Sequence, residues 1–267
     1  MNGCVKIGNT DMYYVRFGKG PKNLIVLPGL SDGLATVKGK SMLLAPTYKK
    51  YIKNYTVYMF SRKNEMPDGY SIRDMARDQV EVLRTLGVTK FSVLGVSQGG
   101  LIAQCIAIDY PESVEKLILA VTTPYANEIV KDAVTAWIEM AKKDDHKSLM
   151  VDTAEKTYSK PYLDKNRKMF PLLAKFTKPE SYERFLKNAD AILHFDVRKE
   201  LSKIKCPTYI IAGDDDNTVG NEAPYELNRG IEGSELYIYN GLGHGLFDEA
   251  KDFYDRVLNY CEDGSKI

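Results

Sequence analysis

Ser97 stands between Gly95 and Gly99 in the stretch LGVSQGGLIAQ, which fits the pattern G-x-S-x-G. Glycine and serine are common enough that this pattern arises by chance in on the order of one chain in ten of this length. Its setting carries more weight, because an apolar run precedes the serine and a helix-like run follows it. A strand that turns straight into a helix bends the backbone sharply, and small neighbours let the two elements approach without a clash. The helix N-terminus behind the turn also offers N–H groups to a developing negative charge. A serine hydroxyl presented there becomes a nucleophile only if a base takes its proton.

The chain has three histidines. His146, in KKDDHKS, reads as a solvated surface residue. His194, in AILHFDV, reads as a packed or pocket-lining one. His244, in NGLGHGLFDE, follows the last strand candidate between Gly243 and Gly245, on a loop that can reach a nucleophile at the end of another strand. It is the expected base. A third group must orient the imidazole and stabilise its cation. Asp214, Asp215 and Asp216 follow a strand candidate at 207–212. Three adjacent carboxylates repel one another unless some face solvent, so one is expected against His244, and the residues alone allow any of the three. The order serine, aspartate, histidine suits an elbow-type hydrolase. A second N–H for an oxyanion is expected from Pro28-Gly29-Leu30-Ser31-Asp32-Gly33, where two glycines permit inward-turned amides.

These residues need a scaffold, and 267 residues, 44% of them hydrophobic and 27% charged, suit one α/β domain with an inserted subdomain. Lys and Arg number 37 against 36 Asp and Glu, which gives no strong field to attract nucleic acid or an anionic membrane. No apolar run approaches the roughly 18–20 residues of a membrane span. The N-terminal stretch MNGCVKIGNTDMYYV lacks a basic segment followed by an apolar one, so no signal peptide is expected. Cys4, Cys105, Cys206 and Cys261 lack zinc-like spacing and lie in or beside apolar stretches, which reads as buried free thiols in a reducing cytoplasm.

Strands are expected at 11–17, 23–28, 55–60, 91–96, 114–121, 207–212 and 235–239. Helices are expected around 49–53, from the Ser71/Asp74 capping pair to Gly87, and over 99–109, 221–229 and 247–261. This alternation implies a parallel sheet covered on both faces. Residues 125–197 are helical and aromatic with no convincing strand, and read as an all-helical cap over the sheet's C-terminal edge, where open α/β sheets place their ligands. The core is then 1–124 and 198–267.

The block DMARDQVEVLRTLGVTKFSVLGVSQGGLIAQCIAIDYPESVEKLIL resembles the helix–strand–elbow–helix–strand unit of the α/β-hydrolase superfamily. CPTYIIAGDDDNTV and NGLGHGLFDE resemble that family's acid and histidine segments. The resemblance implies the α/β-hydrolase fold, a mostly parallel sheet flanked by helices with an inserted helical cap. It implies Asp216 as the acid, which in this family usually falls three residues after the glycine ending the strand. It also implies the Leu30 and Gln98 amides as the oxyanion donors. The chain departs from the pattern in three places. The oxyanion loop usually begins His-Gly and here begins Pro28-Gly29, losing a side chain that often braces it. SRKNEMPDGYS replaces the family's D-x-R-G-x-G-x-S, leaving Arg62 and Ser71 as matches, and the cap carries no subfamily signature. The expected activity is that of a serine hydrolase cleaving a carboxylic ester or related small acyl substrate through Ser97, His244 and Asp216. No metal, nucleotide or flavin is implied. C–C hydrolysis, acyl transfer, aminopeptidase activity and perhydrolysis reuse the same triad, and a non-catalytic ligand-binding protein is the rival of another class.

Overall fold

The computed structural model describes residues 1–263 of the chain. Among them, eight strands form one sheet: β1 (Asn2–Ile7), β2 (Thr10–Phe17), β3 (Lys22–Leu27), β4 (Tyr55–Phe60), β5 (Phe91–Val96), β6 (Val114–Ala120), β7 (Thr208–Gly213) and β8 (Glu235–Tyr239). Their order is β1-β2-β4-β3-β5-β6-β7-β8. The pairs β1–β2 and β2–β4 are antiparallel, and the sheet from β4 to β8 is parallel. The expected strands are present, and β1 is an addition. Its sequence NGCVKI buries only alternate residues at its far end, as an edge strand with one solvated face does, so it lacked the continuous apolar run that marks the others. That exposure also corrects the reading of the thiols. Cys4 on β1 is exposed and Cys206 half-buried, while Cys105 and Cys261 are buried; all four are free.

The parallel strands are apolar on both faces because both are covered. Leu24 and Val26 of β3 pack into one core, Ile25 and Leu27 into the other. Before β7 the chain forms α1 (Ser41–Leu44), α2 (Ile72–Thr85), α3 (Gln98–Asp109), α4 (Glu128–Lys142), α5 (His146–Thr157), α6 (Lys160–Asn166), α7 (Phe170–Thr177) and α8 (Glu183–Leu193). After β7 come α9 (Ala223–Gly230), α10 (Leu246–Glu249) and α11 (Phe253–Asp263). The helix expected at 49–53 is instead a run of 3-10 turns at Ala45–Tyr48 and Tyr51–Lys53. The closing helix is split in two at extended Ala250. α2 begins with the expected capping box of Ser71 and Asp74 and buries Ile72, Met75, Ala76, Val80 and Leu83.

Helices α4 to α8 occupy the stretch between β6 and β7, and an isolated bridge between Tyr125 and Asp196 ties its two ends together. No described helix is long and apolar enough to cross a membrane. The parallel topology sends the segments after β3, β5, β7 and β8 out of one edge of the sheet. Leu30, Ser97, Asp216 and His244 all lie on those segments.

Candidate active site

Ser97 has φ 55° and ψ −121°, a conformation that side-chain-bearing residues hold only at a cost of about 1–3 kcal/mol. Its amide donates to the Ala120 carbonyl at 2.9 Å, and its carbonyl accepts from Gly100 N at 2.8 Å and Thr122 Oγ1 at 2.9 Å. The glycines around it are needed for space. A Cβ on Gly99 would lie 1.9 Å from the Leu27 carbonyl oxygen, and one on Gly95 2.5 Å from that of Gly99. β3, β5 and α3 therefore meet at a distance that only glycine allows. Helix α3 is buried from Gln98 to Ile108, and Ser97 at its N-terminus lines the cavity described below.

His244 Nε2 lies 2.9 Å from Ser97 Oγ, and His244 Nδ1 lies 2.9 Å from Asp216 Oδ2. The other oxygen of Asp216 accepts from the amides of Thr218 at 2.8 Å and Val219 at 2.9 Å. Both side chains are buried, whereas Asp214 and Asp215 are exposed. Those two knit the loops instead. The Asp214 and Asp215 amides donate to the carbonyls of Tyr239 and Leu242, and Asp214 Oδ1 accepts from Gly241 N. A Cβ on Gly213 would sit 1.9 Å from the Leu242 carbonyl oxygen, so this approach also requires glycine. A carboxylate facing Nδ1 holds the proton on that nitrogen, which leaves the Nε2 lone pair facing the Ser97 hydroxyl.

The other two histidines lie elsewhere than the sequence suggested. His146 is buried in the first turn of α5, its Nε2 3.1 Å from Thr177 Oγ1, because α7 and Tyr182 close over it. His194 caps α8 with its side chain 75% exposed, Nδ1 2.9 Å from the Asp190 carbonyl. Neither lines the cavity at Ser97.

Leu30 opens a 3-10 turn after Gly29, and a Cβ on Gly29 would fall 3.3 Å from Ser97 Cβ. Among the described residues, neither the Leu30 nor the Gln98 amide donates to a protein acceptor. The missing His-Gly side chain has a replacement in Arg62. Fully buried, it donates through Nη2 to the Pro28 carbonyl at 2.6 Å and Gln98 Oε1 at 2.9 Å, and through Nη1 to the Gly29 carbonyl at 3.2 Å. Burial lowers its pKa to about 10, with Asp32 opposing, so it stays charged at neutral pH. Asp32 in turn accepts from the Arg62 amide at 3.0 Å and Arg184 Nη2 at 2.8 Å. Gln98 Nε2 donates to the Asn188 carbonyl at 2.8 Å. Two cations and one anion thus stand behind the loop, and helix α8 is fastened to it.

A cavity of about 380 Å³ opens onto Ser97 and His244. Trp137, Leu149, Phe170 and Phe185 wall it from the inserted helices, Tyr48 and Tyr254 from the rest of the chain. No group of three or more His, Cys, Asp or Glu side chains suited to a metal ion occurs among the described residues.

A serine on a strained strand-to-helix turn, followed in chain order by an aspartate and a histidine that meet it at one sheet edge, agrees with the family comparison: residues 49–251 match the model for the alpha/beta hydrolase fold. The chain belongs to the α/β-hydrolase family. This α/β-hydrolase is 32% identical over 200 residues to the AB hydrolase superfamily protein YisY of Bacillus subtilis (strain 168), covering 72% of this chain and 73% of that one. It is 24% identical over 270 residues to the serine hydrolase BPHL of Mus musculus, covering 95% and 84%. It also superposes on the esterase EaEST of Exiguobacterium antarcticum with a TM-score of 0.78 and 25% identity, over 98% of this chain and 100% of that one.

Proposed function

We propose that this α/β-hydrolase is a serine hydrolase that cleaves a carboxylic ester or related small acyl substrate through an acyl-enzyme. The observation that carries the reading is the unbroken chain Ser97–His244–Asp216, with 2.9 Å at each link, built on a strained turn at the wall of an apolar cavity. Ser97 Oγ attacks the substrate carbonyl while His244 Nε2 takes its proton, and Asp216 stabilises the imidazolium. The Leu30 and Gln98 amides receive the tetrahedral oxyanion, and each such donor is worth about 3 kcal/mol of barrier in comparable sites. His244 then protonates the leaving alcohol, activates water against the acyl-enzyme, and returns the proton to Ser97 as the acid departs. In this reading the helices of 125–197 act as the cap, and their apolar walls seat the acyl or alcohol chain.

A fluorophosphonate probe tests the reading directly. Wild type is expected to be labelled at Ser97 and Ser97→Ala to stay unlabelled; folded wild type that takes up no probe removes the serine nucleophile. p-Nitrophenyl esters of graded acyl length, run beside meta-cleavage C–C substrates and aminoacyl naphthylamides, then decide the bond cleaved. Turnover confined to either of the last two sets would sink the ester assignment.

A further inference from the structure

Among the described residues, Asp248 is the one Asp, Glu, Lys or Arg side chain lining the cavity that holds Ser97. It lies on α10, four residues after His244, and the relay described above does not use it. The Tyr158 hydroxyl donates to its Oδ2 at 3.0 Å. Its other oxygen has no protein partner among the described residues, and no Lys or Arg pairs with either oxygen. The charged group that acts on it is a second carboxylate, Glu249, whose own oxygens are taken by the amide and hydroxyl of Ser159. Burial above all, and then Glu249, hold the Asp248 carboxyl above its usual range, with the Tyr158 hydroxyl opposing. Aromatic residues fill the rest of this corner. Phe247 and Tyr158 line the same wall, and Tyr254 stands close enough for the Asp248 charge, after burial, to help push its phenol up to about 12.

Asp248 is exposed at the rim of the cavity, so water solvates its free oxygen in the empty site, and a substrate that fills the cavity displaces that water and leaves the carboxylate in want of a cation. A ligand cation would supply the partner that the protein withholds, and aromatic rings beside it would add cation–π attraction. We propose that Asp248, with Tyr158, Tyr254 and Phe247 around it, is an ammonium subsite, so that the substrate is an ester bearing a cationic amine apart from its scissile carbonyl. The proposal rests on the serine-hydrolase reading and narrows its substrate class. It also disfavours esters with an anionic tail, which would meet the like charge of Asp248.

Two probes of matched shape test it, racemic p-nitrophenyl methylphosphonates whose second ester is either choline or 3,3-dimethylbutanol. Ser97 Oγ forms the bond to phosphorus, p-nitrophenolate leaves with the bonding electrons, and the racemate offers the side chain to either side of the serine. Wild type is expected to react at least about tenfold faster with the cationic probe, in second-order rate constant, as suits a partly desolvated cation site. Asp248→Asn is expected to bring that ratio to about one, with the neutral probe normalising for folded protein; Asp248→Ser serves if the first variant does not fold. A wild-type ratio near or below one overturns the subsite while leaving the nucleophile standing. A ratio that survives in Asp248→Asn removes Asp248 from it. Folded wild type that reacts with neither probe overturns the serine-hydrolase reading itself.

Discussion

Ser97 holds a backbone conformation that glycine would adopt freely, and the strain fixes where its hydroxyl points. Replacing it therefore separates stability from chemistry. Ser97→Gly and Ser97→Ala both remove the proposed nucleophile, yet only glycine relieves the positive φ, an effect that outweighs its greater chain entropy when unfolded. Ser97→Gly is expected to be more stable than Ser97→Ala by about 1 kcal/mol in urea unfolding; equal midpoints would mean that the turn is unstrained. The acid is tested in the same spirit. Asp216 accepts two amides and the imidazole N–H, whereas an asparagine there would turn an NH₂ towards one set of donors and disturb the imidazole tautomer. Asp216→Asn is expected to lower turnover at least about a hundredfold. Exposed Asp214, whose carboxylate accepts from Gly241 N alone among the described residues, should tolerate asparagine within a few fold. Steady-state kinetics on a p-nitrophenyl ester compares the two, and the reverse order would reassign the acid.

At the scale of elements, Arg62 joins four of them: the segment after β4 that carries it, the turn after β3, the start of α3 through Gln98, and α8 through the Arg184 that shares Asp32. Arg62→Met removes the donors to the Pro28 and Gly29 carbonyls and takes one of the two cations from Asp32, which keeps Arg184 and the backbone amide at 62. It is expected to cost about 3 kcal/mol in unfolding free energy, the size seen when one partner of a buried ion pair is removed. It should also lower kcat more than it raises KM, because the loop it holds serves the proposed oxyanion rather than the bound ester. Kinetics beside denaturant melts decide; an unchanged kcat would show that the turn holds itself. This brace marks the limit of what the sequence discloses. The elbow, the histidine loop and the parallel strands were legible because each is a local pattern, a glycine spacing or an apolar run with its cap. Arg62 showed only as a residue surviving from a family stretch. Asp32 and Arg184, 152 positions apart, carry no spacing signal, since their meeting depends on the inserted helices folding back over the sheet. Asp248 was unreadable for the same reason, as a polar residue in a short helix becomes a cavity wall only once α5 and α10 are side by side. β1 was missed because an edge strand needs only half its residues apolar.

At the scale of the molecule, the sheet carries Ser97, Asp216 and His244 at one edge and the inserted helices supply much of the cavity wall, so the two can differ in stability. His146 lies within the insertion. Thr177 Oγ1 gives its own proton to the Leu173 carbonyl and so accepts one from His146 Nε2, which leaves Nδ1 buried as an acceptor without a partner. Burial first and Lys178 second hold this imidazole's pKa below the ordinary 6.5, with Asp144 and the Thr177 backbone opposing. Protonation would place a second N–H on Nδ1, which has no well-aligned acceptor among the described residues. A histidine with a depressed folded-state pKa stabilises the fold above its unfolded value, and that stability is lost as pH falls below about 6.5. The packing of α5 against α7 should therefore loosen between neutral pH and pH 5, ahead of β5 and α3. Hydrogen exchange read by mass spectrometry, corrected for the intrinsic pH dependence, is expected to show protection falling in 146–177 before it falls in 91–109. His146→Gln has no proton to gain and should flatten that difference. If wild type and variant lose protection in step, the acid response belongs to another group.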